Sequence, residues 1–214
     1  IVLSATEGMR GETERLWRNA EALGMPGLAF INKMDREAAD FKASVQALEK
    51  SFGIDAVPLY VPVGSGEGLK GVVDLIKMKS YGAGKNSPES DIPSEAAPLV
   101  EEYRKKLVEK VAELDDSLLE KYLEGGELSA EEVAAGIRKG CLSRKLIPVA
   151  VGSVIANIGV EQLLDAVLLC LPTPLESSSI RPIKGINPKD GSEAVRTPDE
   201  NKPFSAYVFK TVAD

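Results

Sequence analysis

The chain has 214 residues, of which 43% are hydrophobic, 28% charged and 5% aromatic, with a formal net charge of −7. That length and apolar content can bury a sizeable core, which excludes a wholly disordered protein. No apolar run approaches the roughly 20 residues that a membrane span requires, and the acidic balance argues against a nucleic-acid-coating domain. The absence of histidine removes every histidine-based general base, metal ligand and nucleophilic triad from these residues. Cys141 and Cys170 lie far apart with no Cys-x-x-Cys pair. That argues against a disulfide scaffold and a cysteine-based zinc site, and fits a reducing cytosol.

Ile1-Val2-Leu3-Ser4 has the form of the tail of a buried strand, without a signal peptide's basic start. Arg10 to Leu23 predicts a helix with Leu16, Trp17, Ala20 and Leu23 at helical spacing and Gly24 as its stop. Gly27 to Ile31 is a short apolar run that ends abruptly in Asn32-Lys33-Met34-Asp35, the pattern of a fully buried parallel strand. A second helix is expected from Ala38 to Phe52, with Phe41, Val45 and Leu48 on one face and Gly53 after it. This alternation of strand and helix implies an α/β sheet with crossover connections.

Val57 to Val63 reads as one strand, demoted to an edge or irregular position by Pro58 and Pro62. Gly71 to Lys79 is the next strand candidate, and Tyr81 to Pro93 is expected to be a mobile loop. Glu95 to Tyr122 is helical in pattern, with Tyr103, Leu107, Val111, Leu114 and Leu118 in one stripe and Asp115-Asp116 as a cap that divides it. Ser129 to Glu132 has the form of a capping box. Residues 101–132 carry 11 acidic and 5 basic side chains, which accounts for nearly all of the net charge. Leu146 to Val151 predicts another buried strand, and Val160 to Leu171 a helix stopped by Pro172 and Pro174. A linker is expected from Ser177-Ser178-Ser179, and Phe204 to Val212 is rich in strand formers. A cut strand at one end and a dangling strand at the other are what an excised piece of a larger protein would show.

Asn32-Lys33-Met34-Asp35 has the form N-K-x-D at the carboxyl end of a buried strand, the edge where open α/β sheets bind ligands. Guanine presents two donors on one edge, its ring N1–H and its exocyclic amine. The Asp35 carboxylate can accept both, whereas adenine offers it a bare acceptor. Asn32 can donate to guanine acceptors and tie neighbouring loops together, and the aliphatic stem of Lys33 can lie across the base. Gly152-Ser153-Val154 follows a second buried strand and resembles the Ser-Ala loop of guanine-binding sites, whose backbone N–H is aimed at the base carbonyl, with Val154 in place of the alanine and such a donor retained. Gly66-x-Gly68-x-x-Gly71 matches a dinucleotide fingerprint, but strand-like residues follow it and no helix opens there, so it reads as a hairpin turn.

With these residues in view, the chain resembles the elongation factor G family of translational GTPases. The likeness rests on Ile31 to Arg36 followed by Ala39-Asp40-Phe41, on Lys70 to Ile76, on Glu120 to Glu124, on Gly152-Ser153, on Gly159 to Pro172 and on Phe204-Ser205-Ala206. Glu37-Ala38 and Val154 depart from the family's common Thr-Gly and alanine, which favours a paralogue. The resemblance implies an α/β, P-loop-NTPase-like three-layer GTPase domain, present in part, with an inserted α+β subdomain and the first strand of a β-barrel domain. It divides the chain into GTPase core at 1–52, insertion at 53–145, core again at 146–172, and a linker with the start of the second domain at 173–214. It also implies a cytoplasmic protein that couples hydrolysis of GTP to GDP with movement on the ribosome. In this chain Asn32, Lys33, Asp35, Ser153 and Val154 would contact guanine, and the acidic helices of the insertion would meet the ribosomal stalk protein. The phosphate loop G-x-x-x-x-G-K-[ST] does not occur in the 214 residues, and the family's catalytic histidine and magnesium ligands are expected upstream of Ile1. Sheet edges left open by missing strands would invite oligomers. Alternatives are a ribosomal protection protein, a GTPase release factor, or a non-catalytic interaction module; a nicotinamide-dependent enzyme is disfavoured by the glycine context.

Overall fold

Short apolar runs with no polar alternation need cover on both faces, and here they make a parallel sheet. The computed structural model describes residues 1–180, 183–202, 204–206 and 208–212. They fall into two units, 1–171 and 172–214. The first unit runs β1 (Val2–Ser4), α1 (Gly11–Ala22), β2 (Ala29–Asn32), α2 (Phe41–Phe52), β3 (Asp55–Pro58), β4 (Tyr60–Val63), β5 (Gly71–Asp74), β6 (Lys79–Gly82), α3 (Ala97–Ala112), α4 (Asp116–Leu123), α5 (Ala130–Leu142), β7 (Leu146–Val151) and α6 (Val160–Cys170).

The main sheet has the order β1-β2-β7-β3 with every pair parallel. Leu3 pairs with Ile31, Ile31 with Val151, and Val57 with Pro148. Helix α2 begins at Phe41, three residues later than expected, because the Asp40 carboxylate accepts the Ala43 N–H at 2.9 Å and caps it there. Its predicted face of Phe41, Val45 and Leu48 is buried. Helix α1 forms as predicted, but of its expected stripe Trp17 alone is buried, stacked on the Phe52 ring at 4.3 Å, while Leu16 and Leu23 are exposed.

The run from Val57 to Val63 is two strands in two sheets. The chain breaks at Leu59: β3 joins the parallel sheet beside β7, and β4 starts an antiparallel sheet of order β4-β5-β6. Pro58 and Pro62 both sit on edge strands, where a missing N–H leaves no ladder bond unmade. The Gly71–Lys79 candidate likewise divides. The Asp74 carboxylate accepts the N–H groups of Ile76 at 2.7 Å and Lys77 at 2.9 Å, and the resulting turn sends the chain back as β6. Residues 79–82, half of them assigned to a loop by sequence, are therefore a strand, and Ser80 pairs with Ser90 beyond it. A 3-10 turn at Gly66–Gly68 joins antiparallel β4 and β5, which agrees with the hairpin reading of the glycine run.

Val100, Tyr103, Leu107 and Val111 form the buried stripe of α3. Asp115 caps α4 through the Ser117 N–H at 3.1 Å, and Ser129 and Glu132 close the capping box of α5. Helix α5 approaches α3 closely at Gly136, where a Cβ would lie 2.4 Å from Val111 Cγ1.

In the second unit, α7 (Pro174–Ile180) stands where a linker was expected to begin. Thr173 and Glu176 explain it: the Thr173 N–H donates to the Glu176 carboxylate at 2.7 Å and the Glu176 N–H to Thr173 Oγ1 at 3.3 Å. Strands β8 (Ile183–Ile186) and β9 (Glu193–Arg196) form a hairpin. Residues 204–206 and 208–212 join no ladder, so the strand pattern read there has no partner among the described residues, and Tyr207 lies outside them.

Candidate functional site

Strands β2 and β7 are adjacent and parallel, so their carboxyl ends deliver two loops to one edge of the sheet. Residues 33–39 follow β2 and residues 152–159 follow β7. The Gly152 N–H donates to the Ile31 carbonyl at 3.0 Å, and the Met34 N–H to the Gly152 carbonyl at 3.2 Å. Asn32 completes the join. Its Oδ1 accepts the Lys33 N–H at 2.7 Å and the Val154 N–H at 3.1 Å, one donor from each loop.

The β2 loop alternates between anchor and presentation. Met34 is buried at 1% exposure and pins the loop to the core. Lys33 takes φ +66, an uncommon conformation for a non-glycine residue, and its ammonium reaches the surface 3.4 Å from Glu7. The Asp35 side chain is 24% exposed, and its carboxylate lies 3.5 Å from the Arg36 Nε. A pair of this length with one partner well exposed contributes little to stability, which leaves the carboxylate available to a ligand. A cavity of about 220 Å³ bordered by Ser4, Glu7, Thr13, Asn32 and Lys33 lies on the β1 side.

The β7 loop is a tight reversal. Ser153 is 1% exposed. Its backbone exchanges hydrogen bonds with Ile158 at 3.0 Å, and its Oγ accepts the Ala156 N–H at 3.2 Å. Gly152 and Gly159 permit the close approach: a Cβ at Gly152 would lie 2.1 Å from the Ile158 carbonyl oxygen. Val154 and Ile155 stand at the tip, with exposures of 53% and 80%. The structure thus brings Asn32, Lys33, Asp35, Ser153 and Val154 to one edge. It differs from the sequence reading at Val154, whose N–H, expected to face a base carbonyl, donates to Asn32. The Ile155 N–H has no acceptor among the described residues. Ile155 was not singled out from the sequence, although it stands one residue beyond Val154 at the turn apex.

The family model described as "Elongation factor Tu GTP binding domain" matches residues 1–173. The chain belongs to that family. Among curated relatives, elongation factor G of Thermotoga maritima is 42% identical over the whole chain, and elongation factor G of Thermotoga sp. strain RQ2 is likewise 42% identical. The chain spans 31% of the length of each. A crystal structure from Thermus thermophilus superposes with a TM-score of 0.73 at 31% identity, covering 90% of this chain and 30% of that one. The match to the GTP-binding domain takes in both loops of the sheet edge described above. Among the described residues no helix is long and apolar enough to cross a membrane.

Proposed function

We propose that the sheet edge formed by the β2 and β7 loops binds the base of a guanine nucleotide, in a translational GTPase resembling elongation factor G. The observation that carries this reading is Asn32, which ties the two loops together through one carboxamide oxygen and leaves Asp35 partly exposed beside them. In this reading the Asp35 carboxylate accepts the guanine N1–H and exocyclic amine. The stem of Lys33 covers one face of the base, and Ser153 stiffens the opposite loop. The Ile155 amide meets the base carbonyl, while the Val154 amide stays on Asn32. An adenine base would leave the carboxylate facing an acceptor, and an unpaired polar group of that kind gives discrimination on the order of 10⁴-fold.

The parent protein would hydrolyse GTP to GDP and phosphate and couple that to motion on the ribosome in the cytoplasm, with the acidic helices α3 to α5 meeting the ribosomal stalk protein. Phosphate contacts, magnesium ligands and the catalytic histidine are assigned outside these residues.

The test is nucleotide binding by the full-length protein. GDP should bind far more tightly than ADP, and Asp35→Asn should reduce that preference by about 100-fold or more. An unchanged preference in Asp35→Asn would overturn the reading.

A further inference from the structure

The antiparallel sheet β4-β5-β6 touches both candidate guanine loops, through separate turns. Val63, Gly71 and Gly82 lie in register at one end of that sheet, so the β4–β5 turn and the turn after β6 leave from the same end. The first turn meets the β2 loop. The Gly66 N–H donates to the Met34 carbonyl at 2.8 Å. Gly66 has φ +59, and a Cβ there would lie 3.4 Å from Glu37 Cα and 3.6 Å from the Arg36 carbonyl oxygen. The second turn meets the β7 loop. The Gly84 N–H donates to the Asn157 carbonyl at 3.0 Å. The Asn86 N–H points between both carboxylate oxygens of Glu161, at 3.0 and 3.1 Å, in the first turn of α6. The stretch expected to be a mobile loop is thus held at Gly84 and Asn86 by residues more than 70 positions away.

We propose that this end of the sheet is a two-pronged clamp on the guanine-reading loops, with Gly66 and Glu161 as positioning residues. The proposal rests on the guanine reading given above. Gly66 sets the height of the loop that carries Asp35, because Met34 and Asp35 are consecutive and the Met34 carbonyl is the atom held. Glu161 fixes the outgoing end of the loop that carries Val154 and Ile155. The two prongs therefore act on different edges of the base: one on the carboxylate that receives the amine, the other on the Ile155 amide that meets the carbonyl.

Inosine diphosphate separates them, since hypoxanthine keeps the carbonyl and ring N–H of guanine but lacks the amine. In the full-length protein, Gly66→Val forces a branched residue into a positive-φ site and should compress the GDP-over-inosine-diphosphate preference about fivefold or more. Glu161→Ala should weaken both nucleotides by a similar factor, about fivefold, without changing their ratio. Glu161→Gln keeps an acceptor oxygen for the Asn86 N–H and should restore most of that loss. Melting of the nucleotide-free protein reports folding separately, and the Glu161 pair carries the test if Gly66→Val fails to fold. Unchanged affinities and ratio, with Asp35→Asn still abolishing guanine preference, would make the sheet a scaffold only and overturn the clamp. Equal loss of both nucleotides in Gly66→Val, with a lowered melting point, would overturn the role of Gly66. If Asp35→Asn changes nothing, the guanine reading fails and the clamp falls with it.

Discussion

Asn32 and Val154, 122 residues apart in sequence, are joined by one hydrogen bond in which the Val154 N–H donates to Asn32 Oδ1 at 3.1 Å. The same oxygen accepts the Lys33 N–H, so one side chain sets the spacing of two loops. Asn32→Ala should cost about 1 kcal/mol of stability, since water can reach the freed amides. Its larger effect should fall on GDP affinity, lowered about tenfold or more in the full-length protein. Titration with a fluorescent GDP checks this against the unfolding midpoint.

Asp74 offers a pH prediction away from the site. Its carboxyl is buried, and desolvation raises its pKa; the Lys77 and Ile76 amides and the Lys77 charge pull the other way, and Asp165 adds to the rise. The folded state therefore holds the proton more tightly than the unfolded state. The associated stability is present below the unfolded carboxyl's pKa of about 3.9 and is lost as pH rises through the higher folded value. Asp74→Asn keeps an acceptor for the two turn amides and carries no charge. It should raise the melting point at pH 7 and flatten the pH dependence above about pH 4, as measured by thermal denaturation across pH.

The two thiols should be silent in the native protein. Burial pushes the Cys141 thiol up to about 11 and the Cys170 thiol up to about 12. The thiolate is the reactive species, so an aromatic disulfide reagent at pH 8 should label neither native thiol quickly and both in denaturant. Because the folded values exceed an unfolded thiol's pKa of about 8.5, stability should decline as pH rises above that value. Rapid labelling of native protein would contradict the burial.

The α3–α5 contact makes a mutant-cycle prediction. Gly136→Ala places a methyl 2.4 Å from the present position of Val111 Cγ1, and overpacking of that kind costs about 1–3 kcal/mol. Adding Val111→Ala makes room, so the double variant should be more stable than the two separate losses imply. Urea denaturation of the four proteins measures the coupling.

The parts of the fold that could be read from sequence are those whose causes are local. The unalternating runs ending at Ile31 and Val151 announced buried parallel strands, and Asp115 and Ser129 announced helix starts because capping is a matter of three or four residues. The placement of both loops at one sheet edge followed, since they hang from those strands. What was missed depends on distant partners. Nothing near Gly84 or Asn86 reveals that Asn157 and Glu161 will accept their amides. Pro58 and Pro62 mark edge positions but carry no information on which sheet each edge belongs to. Leu16 and Leu23 share the spacing of Trp17, but no element among the described residues covers them. Helix α7 was legible and overlooked: Pro174 read as a stop, although proline just inside a helix start is favourable and the Thr173–Glu176 spacing is a capping box.

Leu59 stands at the point where one run of residues becomes two strands. Its N–H donates to Val149 in the parallel sheet at 2.9 Å, and its carbonyl accepts the Leu75 N–H at 2.9 Å on the antiparallel side. A single peptide linkage on each side of one fully buried residue therefore belongs to two ladders. Opening either sheet at this seam loosens the residue on which the other is anchored. Deuterium uptake at the amides of Leu59 and Leu75 should therefore share one opening event.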